Sequence, residues 1–198
     1  MTIEPITLLD AVALPIARPN FDTDQILPAR YLQKPRADNF GHYLFRDLRY
    51  RADGSEIPDF VLNQPEYQPA RIVVAEKNFA CGSSREHAVW ALYDYGVRAV
   101  IAPSFGDIFA SNASKNGLLT ITLPADAVAD MMRKIEATPG LRVTVDLDAQ
   151  TVAIAGGISH AFEIDPYLKQ CLKEGLDELG YTLTHLDRIA AFERTYAH

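Results

Sequence analysis

The chain has 198 residues, 48% of them hydrophobic, and 19 Lys and Arg against 26 Asp and Glu give it a net charge of -7. That suits a globular domain with a real core, and the acidic balance argues against nucleic acid as a partner, because phosphate binding needs a basic face. Two cysteines make no disulfide framework, Met1 to Pro5 does not open a signal peptide, and no apolar run of about 18 residues exists to span a membrane, so a cytoplasmic protein is expected.

To about Phe21 the chain alternates short apolar pieces with prolines and reads as strand and loop. Asn20-Phe21-Asp22-Thr23-Asp24-Gln25-Ile26 is a polar turn running into an apolar step, since Asn and Asp bond their own backbone in turns. Residues 39–45 suggest a helix. Residues 51–70 are loop-like, with Asp53-Gly54 as a turn. The whole stretch from about 33 to 70 reads as an arm rather than a linker, because Phe60, Val61, Leu62 and Tyr67 need a surface to bury against.

The middle predicts a strand over 71–75, a helix over about 84–95 stopped by Gly96, and a strand over 98–102. This is a strand-helix-strand crossover with parallel strands. A helix follows over about 106–116, a strand over 118–123, and an amphipathic helix over 125–138 with Val128, Met131, Met132 and Ile135 as its stripe. Strands are expected near 141–145, 151–155 and 160–164, with Gly156-Gly157 between the last two. Helices are expected over 166–174 and 186–196. The fold class is mixed α/β, parallel in the centre and more antiparallel at the end, in one domain over 1–198.

The chemistry gathers at Asn78-Phe79-Ala80-Cys81-Gly82-Ser83-Ser84-Arg85-Glu86-His87, between a strand end and a helix start. In open α/β sheets ligands sit beyond the carboxyl ends of the strands, and helix N-termini receive anions. Ser83 and Glu86 also fit a capping box, with Ser83 at the N-cap and Glu86 three residues on. Cap and anion seat are compatible, since the same backbone N–H groups could hold a carboxylate or stabilise a serine alkoxide. Arg85 is a cation where the helix dipole disfavours one, which points to a carboxylate partner suited to a guanidinium. Asp22 and Asp24 are turn formers or orienting groups. His87 reads as structural, and Gly82 as a site of unusual backbone or close approach. Cys81 and Cys171 do not match a zinc pattern, and no metal site is expected in this chain.

Gly82-Ser83-Ser84-Arg85-Glu86-His87-Ala88 resembles the signature loop of the swivelling domain of the aconitase superfamily. Asn20 to Ile26 is similar to that family's N-x-D-T-D-x-I motif. Gly96 to Phe105 resembles the strand and turn after the signature helix, and Ile108-Phe109, Asn112 and Gly117 to Leu119 continue the likeness. These segments keep the family's order, and with Phe60 to Gln68 and Ile164 to Phe192 the resemblance covers nearly the whole chain. A free-standing domain of this length is similar to the small subunits of bacterial 3-isopropylmalate dehydratases.

The resemblance implies a swivelling β/β/α domain working with a large subunit. That partner would carry a four-iron, four-sulfur cluster, whose iron acts as a Lewis acid, while this chain binds no cofactor. It implies dehydration and rehydration of a small dicarboxylate, 2-isopropylmalate to 3-isopropylmalate through an alkene diacid, in leucine biosynthesis. Ser83 would be the base, supported by Asp24, and Ser84, Arg85 and Thr23 would bind substrate. Arg30, Tyr31 and Leu32, after the D-T-D-x-I motif, are the candidates for substrate specificity. Tyr31 and Leu32 could line a pocket for the isopropyl group or simply pack at a helix start. The same loop would suit relatives acting on homoaconitate, citraconate or a methylated malate. A non-catalytic RNA-binding module is the remaining reading, and the charge weighs against it.

Overall fold

In the computed structural model residues 3–36, 39–82, 85–154 and 157–196 are described. The organising element is β1 (Leu8–Ile16), which changes partners halfway along its nine residues. Leu8 to Val12 pairs antiparallel with β5 (Arg142–Asp146), and Ala13 to Ile16 pairs parallel with β2 (Ile72–Ala75). The side chains follow the change. Exposed and buried positions alternate at Leu8, Leu9 and Asp10, and from Ala11 every residue is buried. A strand covered on both faces loses its alternation, whereas one with a solvated face keeps it. The prolines at 15 and 19 had made this segment read as short pieces, but Pro15 stands inside the strand, in register with Val74.

The sheet has seven strands, in the order β4-β3-β2-β1-β5-β6-β7. β3 (Ala99–Ala102) and β4 (Leu119–Thr122) continue the parallel side. β6 (Thr151–Ile154) and β7 (Ser159–Ala161) continue the antiparallel side. The expected mixed sheet with a parallel centre is thus present. β7 is shorter than expected and ends at Ala161 rather than 164. Of the glycine break before it, Gly157 is described and Gly156 is not.

Counting from the N-terminus, the first two helices are single turns, α1 (Thr23–Ile26) and α2 (Arg46–Arg49). α3 (Glu86–Tyr95) crosses from β2 to β3 and ends at Gly96, whose φ of 119° few other residues tolerate. α4 (Asp107–Lys115) joins β3 to β4. α5 (Ala125–Ala137) lays Val128, Met131, Met132 and Ile135 against β1, β2 and β3. α6 (Pro166–Glu174) starts on an Asp165 cap with proline at its first turn, the position where a missing N–H costs nothing. α7 (Glu178–Leu183) was not expected from the sequence, because Gly180 sits inside it, but the Asp177 carboxylate caps it by accepting from the Gly180 N–H. α8 (Leu186–Tyr196) spans the residues expected to form it.

Within residues 39–70, short helical turns at Phe40–Tyr43, Arg46–Arg49 and Val61–Asn63 fold onto the core. Phe45 meets Phe21 edge-on at 5.6 Å and Phe60 at 5.6 Å. The Tyr67 hydroxyl donates to the Ile135 carbonyl at 3.0 Å. Arg49 and Asn63, both buried, satisfy each other: Arg49 Nε donates to Asn63 Oδ1 at 3.1 Å, and Asn63 Nδ2 donates to the Arg49 carbonyl at 2.7 Å. Buried polar groups need such partners. This stretch therefore contributes to the core the side chains that the sequence marked as needing burial.

Candidate functional site

Three loops leave the carboxyl ends of β1, β2 and β3 and are stitched to one another. A parallel bridge joins Asp22 to Cys81, and another joins Phe79 to Phe105. The Thr23 N–H donates to the Cys81 carbonyl at 2.9 Å, and the Cys81 N–H to the Phe21 carbonyl at 3.2 Å. On the other side the Phe79 N–H reaches the Ser104 carbonyl at 3.0 Å, and the Gly106 N–H the Phe79 carbonyl at 2.9 Å. The loop after β2 thus continues the sheet's hydrogen bonding for a few residues beyond its last full strand. Phe21 and Phe79 stack beneath it at 5.7 Å.

This stitching bends the backbone sharply. Asn20, Asn78 and Ala80 hold φ of 53°, 60° and 57°, and Gly82 holds 94°. The asparagines tolerate the left-handed region and bond each other, Asn78 Nδ2 to Asn20 Oδ1 at 2.8 Å. At Gly82 a Cβ would come within 3.0 Å of Asp22 Oδ2. At Gly106 it would come within 2.5 Å of the Ala80 carbonyl oxygen. The close approach expected at Gly82 is therefore real, and the Asp22 carboxylate is what approaches.

The capping box lies elsewhere than expected. α3 begins at Glu86 with Arg85 at its N-cap, and the Arg85 side chain makes no capping bond. Glu86 is the first helical residue rather than the third, and it accepts from Asn116 Nδ2 at 2.8 Å. The reciprocal box belongs to α1: Asp22 Oδ1 accepts from the Asp24 N–H at 2.5 Å, and Gln25 Oε1 accepts from the Asp22 N–H at 3.0 Å. Both segments carry the spacing of a box. Among the described residues α1 uses it, and at α3 the extended backbone of Arg85, φ -140° and ψ 99°, puts the start of the helix at Glu86.

Arg85 and Asp24 meet across these loops. An Arg85 Nη1 proton is donated to Asp24 Oδ1, which also accepts from the Ala29 N–H at 3.1 Å. The Arg85 side chain is 13% exposed and that of Asp24 50%. A recessed guanidinium is thereby held on a carboxylate that still faces solvent. The carboxylate partner implied by a cation at this helix start is, within this chain, Asp24. Thr23 is buried, with its hydroxyl on the side of Gly82, so it supports the loop from beneath. Ser83 and Ser84 lie outside the described residues.

His87 packs against Trp90 at 4.4 Å and near Phe40 at 6.4 Å, the structural role expected of it. Asn116, buried and missed by sequence reasoning, moors the helix start. It bonds Glu86, and its Oδ1 accepts from the Trp90 indole at 3.0 Å. Nothing local to Asn116 signals this, because the two partners it holds in α3 are 26 and 30 residues away.

The specificity candidates make their side-chain contacts with residues other than Arg85 and Asp24. Arg30 is ion-paired with Asp47. Tyr31 stacks on Tyr43 at 4.4 Å. Leu32 packs against the core. They connect to the pair through the backbone, by way of Ala29 and its bond to Asp24. A cavity of about 460 Å³ at the carboxyl end of β1, lined by Ile16, Arg18, Phe21 and Phe60, includes neither Asp24 nor Arg85. Cys81 is partly buried and Cys171 buried, and neither is in a disulfide. Burial pushes the Cys171 thiol up. Among the described residues no three His, Cys, Asp or Glu side chains gather as a metal site, and no helix is long and apolar enough to cross a membrane.

A sheet-end site of this kind occurs in many proteins, and comparison narrows it. The Aconitase C-terminal domain family matches residues 5–126, and LeuD_N matches residues 129–166. The 3-isopropylmalate dehydratase small subunit of Roseobacter denitrificans is 47% identical over 98% of this chain and 97% of its own length. That of Paramagnetospirillum magneticum is 48% identical over 98% of this chain and 96% of its own. The crystal structure of 3-isopropylmalate dehydratase (leuD) from Methanocaldococcus jannaschii superposes with a TM-score of 0.68 at 27% identity, covering 94% of this chain and 99% of that one. With matching sequence, matching fold and near-complete coverage on both sides, the chain belongs to the aconitase C-terminal domain family, among its 3-isopropylmalate dehydratase small subunits.

Proposed function

We propose that this chain acts, with a large subunit, as a hydro-lyase that interconverts 2-isopropylmalate and 3-isopropylmalate by loss and return of water. The observation that carries the reading is Arg85, recessed at the start of α3, tied to Asp24 and directly following Ser83 and Ser84 in sequence. Among its nitrogens Nη1 alone bonds a described residue, which leaves donors for a substrate carboxylate in the geometry a guanidinium suits.

In this reading Arg85 binds the carboxylate next to the carbon that loses its proton. Such a C–H is very weakly acidic, and positive charge on the neighbouring carboxylate lowers the barrier to its removal. Ser83 takes that proton as the base, and backbone N–H groups at the helix start favour its alkoxide. Ser84 adds a hydrogen bond to substrate. Asp24 orients Arg85, and Thr23 supports the loop from below.

Aconitase-type chemistry also needs a four-iron, four-sulfur cluster as Lewis acid. Two cysteines are too few thiolates to hold one, so this chain's donors do not fit that group, and we assign it to the large subunit. The two unpaired thiols suit a reducing cytoplasm.

The test is co-purification with a 3-isopropylmalate dehydratase large subunit, then turnover of 2-isopropylmalate beside homoaconitate, citraconate and methylated malates. The expected result is turnover of 2-isopropylmalate in preference to the others. Turnover of another diacid without 2-isopropylmalate rejects the substrate assignment, and failure on all of them in a cluster-loaded complex rejects the reaction.

A further inference from the structure

A second cavity, of about 570 Å³, opens between α2 and the turns on either side of it, with Arg30, Tyr31, Arg46, Asp47, Tyr50 and Arg51 in its lining. Three guanidiniums share it with one carboxylate, on a chain of net charge -7. Asp47 is already engaged. It accepts from Arg30 Nη1 at 2.7 Å and also from Nη2, and that pairing holds its carboxyl below the usual range. With Asp47 bonded to Arg30, Arg46 and Arg51 make no close ion pair among the described residues, although Asp47 acts on Arg46 and Asp53 on Arg51 through space. Arg46 lies over the Tyr50 ring at 4.0 Å, and its Nη1 is buried with no hydrogen-bond partner, an expensive state for a charged donor. Arg51 uses Nη1 on the Glu56 carbonyl at 2.7 Å and the Ser55 hydroxyl at 3.4 Å.

We propose that this cavity is a second oxyanion site, distinct from Arg85, taking a small molecule that carries two or more phosphate or carboxylate groups. Arg51 and Arg46 supply the donors, the closed-off Arg46 Nη1 reaching a ligand only after its side chain shifts, and guanidiniums bind either oxyanion in paired hydrogen bonds. The volume holds more than a single inorganic ion and lies in the range of small-molecule sites. Arg30 links this site to the first, because the preceding residue, Ala29, gives its N–H to Asp24 at 3.1 Å.

The full chain is titrated with pyrophosphate and separately with malonate, against sodium chloride at matched ionic strength. Arginine side-chain NMR shifts and the thermal midpoint are the readouts. We expect saturable binding of at least one probe, weakened about tenfold or more by Arg46→Gln and by Arg51→Gln and retained in Arg85→Gln. Binding of pyrophosphate alone assigns a phosphate ligand, binding of malonate alone a carboxylate, and binding of both the shared chemistry. Arg51 is exposed, so its variant keeps the test open if Arg46→Gln does not fold. The proposal is overturned by the absence of saturable binding, by binding that Arg51→Gln leaves unchanged, or by binding lost in Arg85→Gln.

Discussion

Gly82→Ala tests the loop that carries Ser83 and Arg85. Two costs follow from the geometry. The backbone stands at φ 94°, where a side chain is strained by about 1–3 kcal/mol. The new methyl would also lie 3.0 Å from Asp22 Oδ2 and 3.3 Å from its Cγ. Asp22 cannot swing away freely, because its Oδ1 caps α1 through the Asp24 N–H, and losing such a cap costs about 1 kcal/mol. The total is roughly 2–4 kcal/mol, or a fall of about 5–15 °C in thermal midpoint for a chain of this size. Gly54→Ala is the control. Gly54 has a similar φ of 87° but nothing within 4 Å of its would-be Cβ, so it reads the strain without the contact. Differential scanning calorimetry of the two variants separates the terms. If the loop yields instead of the fold, stability holds and turnover in the assembled enzyme drops by about 10²-fold, the usual consequence of an ångström's misplacement. A Gly82→Ala variant that matches Gly54→Ala in stability and the parent in turnover would refute the claim that the Asp22 contact shapes this loop.

Ser83→Ala should lower kcat by about 10²–10⁴-fold, the range of a lost general base, while leaving assembly with the large subunit intact by gel filtration; near-normal turnover removes Ser83 as the base. Arg85→Lys keeps the charge but loses the fork, and kcat/KM should fall by about 10²-fold or more, an effect that a role in general electrostatics alone would not produce. Asp24→Asn should cost less than about 1 kcal/mol in urea unfolding, because the carboxylate is half exposed, yet raise KM by about tenfold by freeing Arg85. An unchanged KM would show that Arg85 needs no orienting partner. Hydrogen bonding from Arg71, aided by Arg98, holds the Glu4 carboxyl below its ordinary value of 4.5. A lowered folded pKa stabilises above that value, and the contribution is lost as pH falls through the folded pKa. Glu4→Gln should therefore be less stable than the parent at neutral pH and converge on it in acid, as followed by thermal midpoint against pH; curves that stay parallel below pH 4.5 would contradict the pairing.

Much of the fold is legible because burial writes a period into the chain. The continuous apolar runs of β2 and β3, with α3 between them, announce a covered parallel unit, and the Val128, Met131, Met132 and Ile135 stripe announces α5. The order of the Asn20 to Ile26 turn and the Gly82 to His87 loop was enough to suggest the family, since those segments need particular residues for backbone shape and charge. Other features were closed to such reading. β1 changes partners at Val12, and only the three-dimensional neighbours β5 and β2 show why its alternation stops there. The capping box could sit at Ser83 or at Asp22 by spacing alone. The structure shows the box at Asp22, where the Asp22–Cys81 bridge fixes the turn, and shows Arg85 extended and reaching Asp24. The amino-acid sequence by itself thus determined the parallel core and the residues able to meet an anion, because periodicity and residue chemistry are local. Only the tertiary structure decided that Arg85 meets Asp24, 61 residues away, because that contact depends on the stitching of three loops that no local pattern encodes.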